Sequence, residues 1–219
     1  MKIHKIQGDI SKEILNTVKN TCSIDCEMQG LVPRRDQLSL IQLTSDNDNI
    51  YIVQPDRKSY EAPNLVSLLN DEKILKIFHF ARMDVHFLEY YLKTEVKNYY
   101  CTKLMSKLAR SYSSNHGLKD LCQELCNVKL EKKYGSSTDW NKSLDDVSEK
   151  ELKYLCNDVL YLKEIKEKLQ KMLQRDNRFD LFLSSMNGVR SRINLDKAGF
   201  NDPNIFCLLY TSPSPRDTG

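Results

Sequence analysis

A mixed α/β fold is what this sequence predicts: a five-stranded sheet, an antiparallel meander followed by parallel strands, flanked by helices. Three observations carry that expectation. The first half contains short runs in which apolar and polar residues alternate, as in QLSLIQLT, the period of a half-buried strand. The second half carries apolar residues at helical spacing. After the third strand, strands and helices take turns, which calls for parallel crossovers.

The elements follow in order. Residues Thr21 to Met28 alternate and form the first strand. Gln29 to Asp36, with Gly30, Pro33 and two arginines, is the loop or hairpin connection to the second strand, Gln37 to Thr44. The polar SDNDN turn leads into a third strand at Asn49 to Val53. Pro63 opens a helix through Leu69, since proline suits the first helical turn. Lys76 to Phe80 is the fourth strand, Met83 to Leu92 a helix, and Asn98 to Cys101 the fifth strand. Helices follow near Lys103 to Ser111, at Leu118 to Cys126, and from Glu149 to about Arg175. Residues 176 to 206 show no regular period.

With 219 residues the chain suits one domain, 1–206, with enough length for a real core. The last stretch, CLLYTSPSPRDTG, holds a Ser-Pro-Ser-Pro run. Such a run continues neither a helix nor a central strand, so residues 207–219 are expected to be disordered or foreign to the native fold. Apolar residues make up 40% and charged residues 29%, an ordinary soluble balance. The net charge of +3 does not by itself argue for a nucleic-acid partner. No apolar run approaches the roughly 18 residues of a membrane span, and Met1 to Leu15 lacks the apolar stretch of a secretory signal. Seven cysteines without a CxxC pair suggest free thiols in a reducing cytoplasm.

The chemistry lies in five residues: Asp25, Glu27, Asp84, Tyr154 and Asp158. Asp25 and Glu27 are two apart on a strand and share a face. Two acids on one face of a core strand repel unless a cation lies between them. On a solvated sheet face they would be harmless. Asp84 follows a strand and begins a helix. Alone it is an ordinary acid at a helix N-terminus, yet ligands also gather at the carboxyl ends of strands in open α/β sheets. Tyr154 and Asp158 are four apart on one helix face, bordered by Leu152, Leu155, Val159 and Leu162. The bland alternative is a surface tyrosine beside a solvated acid. Together the pattern is DxE, then Asp, then YxxxD. Metal-assisted phosphodiester hydrolysis gives every member a task, with two divalent ions activating water and stabilising the leaving oxygen. Oxygen-only ligands suit Mg²⁺ or Mn²⁺. Tyr154 would orient the water.

With these motifs the chain resembles the DEDD superfamily of 3′→5′ exonucleases, in the subgroup with tyrosine in the third motif, and bacterial ribonuclease D in its short form. SIDCEM resembles the first motif, FHFARMDVHFLEYYL the second and YLCNDVLYLKEI the third. QLSLIQL, YCTKL, HGLKDLC and SSTDW match outside the acids, so the similarity spans about residues 3 to 206. The resemblance implies a ribonuclease H-like fold. It implies metal held by Asp25, Glu27, Asp84 and Asp158, with Tyr154 at the water and Glu27 near the terminal 3′-OH. Met28, where Phe or Thr is frequent, would wedge between terminal bases. It implies action on single-stranded RNA 3′ ends, releasing nucleoside 5′-monophosphates. Longer members carry helical RNA-binding domains, so a catalytic core acting as a monomer or weak homo-oligomer is expected here. The rivals are a 3′→5′ DNA exonuclease and a catalytically inactive nucleic-acid-binding module.

Two further residues are candidates for substrate contact, each with a plainer alternative. His79 precedes Asp84 and more often packs in a core. Trp140, in STDW, offers a stacking face for a base, but a buried anchor is the commoner fate. Arg34, Arg35, Lys103, Lys107 and Lys119 are taken singly as solvated charges, and Lys163 to Met172 as a salt-bridged surface.

Overall fold

The computed structural model describes residues 1–130 and 138–206; the tail expectation for 207–219, and the Ser136 and Ser137 of SSTDW, lie outside the described residues. Among the described residues six strands and eight α-helices run in the order β1 (Lys2–Gln7), α1 (Lys12–Thr17), β2 (Thr21–Met28), β3 (Leu38–Thr44), β4 (Asn49–Gln54), α2 (Pro63–Asn70), β5 (Leu75–Phe78), α3 (Ala81–Leu92), β6 (Tyr99–Cys101), α4 (Thr102–Ala109), α5 (Leu118–Cys126), α6 (Glu149–Leu160), α7 (Leu162–Arg175) and α8 (Phe179–Lys197). A short 3₁₀ turn, Leu144–Asp146, precedes α6.

The strand order is β1-β4-β3-β2-β5-β6. The pairs β2–β3 and β3–β4 are antiparallel, the expected meander. The pairs β2–β5 and β5–β6 are parallel, the expected crossovers. One strand is added to the five expected: β1 pairs in parallel with β4 at the sheet edge. Its sequence KIHKIQ holds two apolar residues among polar ones, because an edge strand in contact with water needs little more.

Two other expectations are corrected. The helix from Glu149 to Arg175 is two helices, which meet at Tyr161. Residues 176–206, expected to be irregular, contain the 19-residue helix α8. Glu89 of α3, its carboxylate fully buried, binds Arg190 at 2.6 Å and Lys197 at 2.8 Å, both from α8. Arg82 of α3 pairs with Asp196 of α8 at 2.7 Å. These ion pairs act together with an apolar stripe, Phe179, Phe182, Met186, Val189 and Ile193, that packs α8 against the body.

Apolar residues gather in three clusters. One packs one face of the sheet against α2 and α3, with Ile24, Cys26 and Ile41 meeting Leu65, Leu68, Val85 and Leu88. A second packs the other face, Leu40, Ile50 and Ile52, against Leu155, Cys156 and Val159 of α6, with Trp140 and Leu144. The third joins α4, α5, α7 and α8. The sheet therefore has α3 on one side and α6 on the other, and the ends of both helices reach β2. Among the described residues no helix is long and apolar enough to cross a membrane. Of the six described cysteines all are free thiols, five buried and Cys126 half-buried.

Candidate active site

Strand β2 carries the first two acids. Ile24 and Cys26 turn into the first apolar cluster, so alternation turns Asp25 and Glu27 toward the opposite face. Met28 follows a register shift between Glu27 and Met28 and packs against the first cluster. The shift breaks strict alternation at the point where the strand ends.

Asp84 is placed by an unusual turn. Phe80 stands between β5 and α3 with φ 70° and ψ 45°, a left-handed conformation that non-glycine residues seldom adopt. It swings the chain off the end of the strand, so that Asp84 falls in the first turn of α3. The side chain is buried. His79, just before, is hydrogen-bonded through Nδ1 to Thr102 Oγ1 at 2.9 Å. That hydroxyl donates to the Phe78 carbonyl at 3.1 Å, which ties the ring to the end of β5. Burial, aided by Lys103, lowers the His79 pKa to about 4. The imidazole is neutral and braces the turn.

Asp158 and Tyr154 lie on α6, whose start is fixed by a capping box. Ser148 Oγ accepts the Glu151 N–H at 3.4 Å, and Glu151 Oε2 accepts the Ser148 N–H at 2.9 Å. Lys142 holds the Glu151 carboxylate at 2.7 and 2.8 Å.

The three segments converge. Asp25, Glu27 and Asp158 each present a carboxylate oxygen, and these atoms lie within 4.8 Å of one another. Asp84 stands outside that group but is close enough to raise the pKa values of Asp25 and Glu27. All four acids are held above the ordinary carboxylate range. For Asp25 and Glu27 the cause is burial first and the neighbouring acids second, and the shift is large. Burial raises Asp84 to about 8, offset in part by backbone N–H groups of Asp84 and Cys26. Burial raises Asp158 to about 7, tempered by a hydrogen bond with Tyr154. The Tyr154 phenol is itself pushed up, by burial and then by Asp158, Glu27 and Asp25.

The ion pairs among the described residues involve none of these four acids. Crowded anions without a protein cation fit a hard divalent metal ion, which would remove the repulsion and accept oxygen donors. The cluster is suited to a divalent metal.

Trp140 is 1% exposed. It stacks on Tyr154, ring centroids 6.1 Å apart and planes 14° from parallel. The expectation of a base-stacking tryptophan gives way to a packed one, because its face is already covered. Sequence reasoning had no means to find this pair, which joins a loop to a helix through tertiary packing alone.

Comparison with known proteins gives a consistent picture. The family model described as "3'-5' exonuclease" matches residues 6–174. A ribonuclease D from Bartonella henselae is 28% identical over 167 residues, 75% of this chain and 40% of that protein. The chain thus spans about 40% of the length of the curated relatives it first matches. The structure of Brucella melitensis NrnC bound to pGG is 35% identical, covers 95% of this chain and 100% of its own, and superposes with a TM-score of 0.88. NrnC with bound Mg²⁺ superposes at 0.87. Escherichia coli RNase D shares the fold, with a TM-score of 0.75 at 20% identity over 88% of this chain and 51% of its own.

Proposed function

Since the chain belongs to the 3′-5′ exonuclease family, we propose that it is a metal-dependent 3′→5′ exoribonuclease that releases nucleoside 5′-monophosphates from RNA 3′ ends. The observation that carries the reading is the meeting of Asp25, Glu27 and Asp158 within 4.8 Å beside Tyr154, with Asp84 near by. A half-buried anionic cluster of this kind opposes folding, and hydrolysis gives it a use.

Asp25, Glu27, Asp84 and Asp158 would hold two divalent ions, Mg²⁺ or Mn²⁺. When bound, these would lower the pKa of water and offset charge on the leaving oxygen. Tyr154 stays a neutral phenol over the working pH range, since its pKa is raised. It therefore orients the attacking water by hydrogen bonding instead of removing its proton. Water adds to phosphorus, the bond from phosphorus to the 3′ oxygen breaks, and that oxygen leaves with a proton. Glu27 would meet the substrate's terminal 3′-OH, and Met28 and His79 are proposed as further substrate contacts.

RNA is preferred over DNA because the relatives include ribonuclease D proteins and NrnC, one structure of which is bound to pGG. Short RNA of the pGG kind belongs in the substrate range for the same reason. The free thiols suit a reducing, cytoplasmic compartment, and the chain works as a monomer or weak homo-oligomer within one domain, 1–206. An end-labelled assay tests the reading. Matched RNA and DNA strands, and pGG, are incubated with Mg²⁺, Mn²⁺ or EDTA. Stepwise release of mononucleotides from RNA 3′ ends, only with metal, is expected. Internal cleavage, or equal turnover in EDTA, would refute it.

A further inference from the structure

We propose that Trp140 is a positioning residue for Tyr154, setting the angle at which the phenol meets the reacting water. The inference rests on the water-orienting reading of Tyr154 given above.

A tyrosine on a helix has several staggered rotamers open to it. Here one face of the Tyr154 ring lies against Trp140, with planes 14° apart. The stack restricts the ring to the orientation that turns its hydroxyl toward Asp158. Trp140 can serve as a stop because it is itself fixed. Arg57 donates to the Asn141 carbonyl at 2.6 Å and to the Trp140 carbonyl at 3.2 Å. Ser39 Oγ of β3 donates to Asn141 Oδ1 at 2.8 Å. Gln54 of β4 donates to the Lys142 carbonyl at 2.8 Å and accepts the Leu144 N–H at 3.1 Å.

The loop holding Trp140 is therefore stitched to the same sheet that carries Asp25 and Glu27. The tyrosine sits on a helix in another layer, yet its ring is referenced to that sheet. A reacting group needs such outside support, because a displacement of about 1 Å costs much of the rate.

The test combines kinetics with light emission from Trp140, the chain's single tryptophan. In metal-free protein, Tyr154→Ala should move the emission to longer wavelength by opening the covered ring face to water. Unchanged emission overturns the stack, with no activity needed. In RNA turnover, Trp140→Leu should lower kcat roughly 10- to 100-fold with KM within about twofold. Trp140→Phe should recover most of that loss. In a Tyr154→Phe background, Trp140→Leu should add no further loss, since both changes act through one group. A raised KM with kcat retained, or a full second loss in the double variant, overturns the proposal alone. Tyr154→Phe turning over like the parent protein removes the water-orienting reading and the proposal together.

Discussion

Gln42 stands directly opposite Asp25 across the β2–β3 ladder. Cross-strand partners share a sheet face, so the amide lies beside the acid. Gln42 is fully buried, and neither polar atom of its side chain has a hydrogen-bond partner among the described residues. A buried unpaired amide opposes folding. Gln42→Met keeps the length without the polar atoms. It should leave the metal-free protein at least as stable, with a gain of about 1 kcal/mol. Urea unfolding in EDTA measures this, and a clear loss would mean that the amide is bonded in solution.

The raised acids make metal-free stability depend on pH in a definite sense. Asp158 and Asp84 titrate near 7 and 8 in the folded chain but near about 4 when unfolded. Between those values the folded state holds more protons than the unfolded state. Stability is therefore fullest below about pH 4 as far as these groups are concerned, and it is lost as pH rises through 7 and 8. Melting in EDTA should show this fall. Mg²⁺ should restore more at pH 8.5 than at pH 5.5, and equal shifts at both would remove the acids from metal binding.

Asp158→Asn separates fold from function. It should abolish turnover. In EDTA above pH 8 it should raise stability by about 1 kcal/mol, or roughly 2–4 °C in Tm for a chain of this size, because one of four crowded charges is gone. Full activity with Mg²⁺, or a lower Tm, would sink the assignment.

Ser148→Ala removes the side-chain acceptor of the capping box on α6. The cost should be about 1 kcal/mol. Because α6 carries Asp158 and Tyr154, Mg²⁺ affinity should weaken as well. Calorimetric titration with Mg²⁺ checks this, and an unchanged affinity would show that the helix start does not support the site.

Glu89→Ala leaves Arg190 and Lys197 without their buried partner. The loss should be about 1–3 kcal/mol, since both cations keep contact with water, with α8 becoming the first segment cut by protease. Wild-type resistance to digestion would show that other contacts hold the helix.

The reach of the sequence follows from how local each feature is. The strand pair Asp25 and Glu27, and the helix pair Tyr154 and Asp158, were legible because one backbone period places them together. The meander and crossovers were legible from alternation. Strand β1 was not, since an edge strand shows little apolar pattern. Helix α8 was not, since the exposed Leu181 and Leu183 blur the stripe of Phe179, Phe182, Met186, Val189 and Ile193, and ion pairs through Glu89 and Asp196 share in anchoring it. Three of the acids meet across layers, and the stack of Trp140 on Tyr154 also depends on tertiary packing; neither leaves a periodic trace.

The acids come from β2, α3 and α6, in that chain order. A polypeptide leaving the ribosome N-terminus first exposes Asp25, Glu27 and Asp84 well before Asp158. Until α6 has emerged and docked, the cluster lacks the member that closes it. If the chain trims RNA as proposed, that activity would therefore arise only late in synthesis, once the last acid is in place.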